Sequence, residues 1–83
     1  MKEEISELVN DKIKDLNVFV DDAFTSEEEG KKLFNIVLDS DEVIDFNKIT
    51  EASRIINKIM DEHEDLLDNA DELDIYSKEK GEI

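Results

Sequence analysis

Asp39, Ser40, Asp41 and Asp45 place four oxygen-bearing side chains within seven residues. Ligands at loop positions one, three and seven are what a helix–loop–helix calcium site uses. Counted from Asp39, such a loop also needs a conformationally free Gly at position six and a bidentate acid at position twelve. Those positions hold Ile44 and Thr50, position five is Val43, and the residues before Asp39 alternate like a strand. No metal ligand is therefore expected. His63 stands within Asp61-Glu62-His63-Glu64-Asp65. A general base needs a pocket and an oriented partner, and a histidine in such a run reads as solvated. The chain has no Cys and one His, which excludes thiolate nucleophiles, disulfides and multi-imidazole metal sites. Neither a Gly-x-Ser-x-Gly elbow nor a phosphate-cradling glycine loop is present. No catalytic residue and no cofactor is expected, so the chain does not read as an enzyme.

The charge speaks for binding instead. Ten basic residues stand against 25 acidic ones in 83 residues, a formal net charge of −15. Such a field repels phosphate, so direct binding to a nucleic-acid backbone is not expected. The acidity is concentrated: residues 21–30 carry five acids and no base, and residues 61–83 carry ten acids and two lysines. Residues 43–60 are by contrast slightly basic. Runs of like charge read as solvated connectors, and functionally as a contact surface for a basic protein. The densest of them points to Asp65, Asp68 and Asp71 as partner-binding residues. No run approaches the ~18 apolar residues of a membrane span, and Met1-Lys2-Glu3-Glu4 lacks the shape of a signal peptide. A cytoplasmic monomer without membrane contact is expected.

These residues must be positioned by one small domain. A chain of this size buries about 60% of its unfolded surface, so its core has to be compact. Ile5, Leu8, Val9, Ile13 and Leu16 follow helical spacing, with Glu3, Glu4 and Glu7 toward the favourable end of the helix dipole. Asn17 suits a left-handed terminator. Val18, Phe19 and Val20, extended by Ala23 and Phe24, predict a strand, followed by a charged reversal over Thr25 to Lys31. Phe34, Ile36 and Leu38 alternate with Asn35, Val37 and Asp39, the period of a half-buried strand. Asp45 is the predicted N-cap of a second helix running from about residue 46 to about 61, with an inner stripe of Phe46, Ile49, Ala52, Ile56 and Ile59. An acidic connector from Glu62 to Ala70 leads to a short third strand at Leu73 to Tyr76. The expectation is an α+β domain over residues 1–76, ordered αββαβ, with two helices on one face of a three-stranded sheet and a frayed tail over 77–83.

The strand Phe34-Asn35-Ile36-Val37-Leu38-Asp39, the helix opened by Phe46, its Ser53-Arg54 pair and its close at Met60-Asp61 keep the intervals of a known family. Together with Leu73-Asp74-Ile75-Tyr76-Ser77 after an acidic loop, this pattern resembles the N-terminal domain of the RimP-type ribosome maturation factors. The opening helix and Leu16-Asn17-Val18 extend the resemblance over almost the whole chain. Ile49 stands where that family has a small residue, and Ser77-Lys78-Glu79-Lys80-Gly81 replaces its Ser-Ser-Pro-Gly. The family continues into a small C-terminal β-barrel that this sequence does not contain, which leaves open an isolated N-terminal domain or a protein without the partner domain. The resemblance implies non-catalytic help in assembling the small ribosomal subunit, by binding that subunit or a basic ribosomal protein, and it brings forward Asp39, Ser53 and Arg54 as partner-binding residues. Read as helix chemistry alone, Ser53 bonds back within its helix and Arg54 pairs with Glu51 or Asp61.

Asp39-Ser40-Asp41 also resembles the Asp-Ser-Leu-Asp signature of acyl carrier proteins, which would make Ser40 a phosphopantetheine attachment site. Asp41 replaces the signature's Leu, and the strand period ahead of it departs from that family's irregular loop. A generic acidic protein-binding module is the remaining alternative.

Overall fold

A computed structural model describes residues 2–42 and 45–78. The chain runs α1 (Lys2–Ile13), a 3-10 turn (Lys14–Leu16), β1 (Phe19–Glu28), β2 (Lys31–Asp39), α2 (Phe46–Asp61), a second 3-10 turn (Glu64–Leu67) and β3 (Glu72–Ser77). The order αββαβ is the expected one. β2 is the central strand, antiparallel to β1 and parallel to β3.

The helices form where their ends are satisfied and their stripes can be buried. α1 tightens into its 3-10 turn and stops at Asn17, which takes φ 66 and returns its amide to the Lys14 carbonyl. Asp45 caps α2 by accepting from the Asn47 amide at 2.8 Å. Ile5, Val9 and Ile13 of α1 meet Ala52, Ile56 and Met60 of α2 over Phe34, Ile36 and Leu38 of β2. Both helices thus cover one sheet face, and the core lies between the two layers. Phe46, predicted on the inner stripe, is instead exposed at the first turn of α2.

The hairpin corrects the sequence expectation. β1 does not stop at Phe24; it continues through Glu28, and only Glu29 and Gly30 separate it from β2. Both turn residues have positive φ (51 and 82), the signature of a tight hairpin turn whose twist suits the strands. Glu27 stands in register with Lys32 and Glu28 with Lys31, so residues of opposite charge face each other across the outer half of the ribbon. A bulge between Val20 and Asp22 shifts the phase of β1. Val20 and Ala23, three residues apart, are therefore both buried in the core.

β3 includes Ser77, and the Lys78 amide donates to the Leu38 carbonyl at 2.7 Å. Ser77 and Lys78, predicted within a frayed tail, are thus tied to the sheet, and residues 79–83 lie outside the described residues. The connector is compact: Leu66, Leu67 and Ala70 pack against the core, and Asp68 and Asn69 take positive φ to turn the chain into β3.

Candidate partner-binding surface

The predicted site residues fall in three separate places. Asp39 ends β2, with its Oδ1 accepting from the Ser40 amide at 2.7 Å. Ser53 and Arg54 sit midway along α2. The Ser53 carbonyl accepts from Asn57 Nδ2 at 2.9 Å, and exposed Arg54 reaches Glu51 at 3.3 Å. Asp65 is exposed on the second 3-10 turn. Asp68 and Asp71 both turn to Lys32. Lys32 Nζ donates to the Asp68 carbonyl at 2.7 Å and to its Oδ2 at 3.0 Å. The Lys32 amide donates to Asp71 Oδ2 at 2.8 Å. These two acids hold the connector against the start of β2.

The cation and carrier chemistries meet a different geometry. Asp45 is engaged as a helix cap, Thr50 donates to the Phe46 carbonyl, and Val43 and Ile44 lie outside the described residues. Among the described residues, no group of three or more His, Cys, Asp or Glu is arranged to hold a metal. Ser40 is only 5% exposed, its Oγ accepts from the Glu42 amide, and α2 starts at Phe46 rather than beside it. It follows a strand, so the helical frame in which a carrier protein presents its serine is not the fold of this chain.

A surface that the sequence reading passed over is the sheet face opposite the helices. The pleat brings Phe24, Asn35 and Asp74 into one row and Asp22, Val37 and Tyr76 into the next. Asn35 is only 4% exposed although neither helix packs on this face, because its strand neighbours enclose it. Asn35 Nδ2 donates to Ser26 Oγ at 2.9 Å and to the Phe24 carbonyl at 3.3 Å, while Tyr76 donates its hydroxyl proton to Asn35 Oδ1 at 3.3 Å. Phe24 and Tyr76 flank this knot with about a third of their surface in solvent, 38% and 37%. Tyr76 holds its proton above the ordinary value of 10.0, first because its surroundings desolvate the phenolate and then because Asp74 and Asp22 oppose a further negative charge. Toward the hairpin the face opens into a shallow hollow of about 350 Å³, lined by Glu28, Glu29, Lys31, Leu33, Glu72, Leu73 and Asp74. Lys31 is tied to Glu72 at 3.1 Å there.

No family model matches the chain, and no curated protein matches it.

Of the two rings on this face, Tyr76 was legible as the solvent-phase position beside Ile75, whereas plain alternation from Val20 sends Phe24 to the core side and only the bulge reverses it. What was not legible is that they flank one residue. That depends on the bulge in β1 and on the parallel register of β3. Among the described residues, no helix is long and apolar enough to cross a membrane.

Proposed function

We propose that this chain is a non-catalytic ribosome maturation factor domain that helps assemble the small ribosomal subunit by capturing one of its basic components. What supports the reading is that the segments carrying the resemblance form the strand, helix and strand it implies. Phe34 to Asp39 are on β2, Ser53-Arg54 and Met60-Asp61 are on α2, and Leu73 to Ser77 are on β3. The charge supports it physically. With 25 acids against 10 bases, long-range attraction speeds and orients encounter with a strongly basic protein and disfavours naked phosphate. The domain acts as a monomer in the cytoplasm, needs no cofactor, and contributes binding rather than bond-making.

Sedimentation of a lysate on sucrose gradients tests this. The tagged protein should travel with immature small subunits, leave them as salt is raised, and be depleted from mature ones. Failure to enter any ribosomal fraction at low salt would overturn the reading.

A further inference from the structure

We propose that the open sheet face, centred on Asn35 between Phe24 and Tyr76, is the docking surface for an extended arginine- or lysine-rich segment of a partner protein. The inference rests on the reading that this chain captures a basic protein and adds where the capture happens. Three features of the face select this occupant. Its two aromatic residues are each more than a third exposed, and a guanidinium or ammonium group gains attraction over an exposed ring. Asp22 and Asp74 occupy the neighbouring strand positions, so a cation seated on a ring finds a carboxylate beside it. The Asn35 hydrogen bonds fix Tyr76 against β2 and tie Asn35 to β1, so the Tyr76 ring loses little freedom on binding.

The charge also decides against the other familiar use of an aromatic open sheet. Stacking nucleic-acid bases requires a basic groove to carry the phosphates. Here the rows hold Asp22 and Asp74, and the nearby hollow adds Glu28, Glu29 and Glu72 with Lys31 already paired. A second copy of the chain would bring the same acidic face and be repelled. A cationic strand is the complementary partner.

The test uses the whole chain and a short peptide of alternating arginine and glycine. In a heteronuclear NMR titration, the amides of Asp22, Phe24, Asn35, Asp74 and Tyr76 should move most. The double variant Phe24→Ala with Tyr76→Ala should bind at least about five-fold more weakly, whereas Tyr76→Phe keeps the ring and should stay within about two-fold of the native chain. Should the double variant fail to fold, Asp22→Asn with Asp74→Asn should weaken binding and flatten its salt dependence, which reads the charge half of the surface. The inference is overturned by shifts centred on residues 61–71 or by no binding of the peptide. Native affinity in a folded variant lacking both rings, tighter binding of single-stranded RNA, or self-association through this face would overturn it too. Co-sedimentation with immature subunits separates the two claims. If the ring-less variant still travels with them, the surface is wrong and the assembly reading stands. If the native chain binds the peptide but enters no ribosomal fraction, the assembly reading fails and the surface stands.

Discussion

Lys32 and Asp71, 39 residues apart, close a ring of two hydrogen bonds. The Asp71 amide donates to the Lys32 carbonyl at 2.7 Å, and the Lys32 amide donates back to Asp71 Oδ2 at 2.8 Å. This pair fixes where the acidic connector meets the sheet, just before β3 begins. Asp71→Ala should therefore cost about 1 kcal/mol, the loss of a hydrogen bond to a charged acceptor at an exposed site. Asp65→Ala, on the same connector, should stay within about 0.5 kcal/mol of the native chain. Urea denaturation checks the contrast, and equal midpoints for the two variants would refute it. A study of electrostatic steering by the connector should neutralise Asp65 without touching Asp68 or Asp71.

The hairpin turn offers a stabilising change. Glu29 holds φ 51 with an ordinary side chain, beside Gly30 at φ 82. Asn tolerates that region and Asn-Gly is a favoured pair for such turns, so Glu29→Asn should raise stability by about 0.5–1 kcal/mol. Gly30→Ala should lower it by about 1 kcal/mol. Nothing lies within 4 Å of the added methyl, so the whole cost is backbone. Thermal melts of both variants would read opposite shifts in midpoint.

Tyr76 is the chain's one tyrosine, so its ionisation can be followed directly by ultraviolet absorbance. Its midpoint should lie above 10.0 in the folded chain and fall toward that value in Asp74→Asn. The sign for stability follows from linkage. The fold prefers the protonated ring, so this contribution is complete below the unfolded value and is lost as pH rises through the folded one. A folded-state midpoint at or below 10.0 would contradict the surroundings described for this ring.

Ile56, wholly buried on α2, tests the layer packing. Ile56→Val should cost about 0.5–1.5 kcal/mol and Ile56→Ala about 2–5 kcal/mol, because the helix cannot collapse fully onto the sheet. Chemical denaturation of the pair measures the gradient. Near-native stability of the alanine variant would show that α2 is not seated on the core as described.

The α2 boundaries were readable because Asp45 signals a cap and the apolar spacing persists to Met60. The alternation of Phe34, Ile36 and Leu38 was equally plain. The outer hairpin was not readable in the same way. Ser26, Glu27 and Glu28 have no apolar alternation, and their strand exists because Leu33, Lys32 and Lys31 face them. The bulge hid the remainder, since it sets Val20 and Ala23 three residues apart on one face. Charge density marked Asp68 and Asp71 as available for a partner. Their attachment to Lys32 spans more than 30 residues and belongs to tertiary structure, which local pattern does not report.

The strand order gives the sheet two unlike margins. At β1, Asn10 Oδ1 of α1 accepts from the Val20 amide at 2.9 Å, so the start of that margin is already engaged. At β3 the margin carries Glu72 and Asp74. Lateral growth of the sheet is thereby filtered by sign: a strand of identical sequence arrives against its own negative charge, while a cationic strand is drawn in. For so small and acidic a domain, the same residues that bias it toward a basic partner guard it against stacking into fibres of itself.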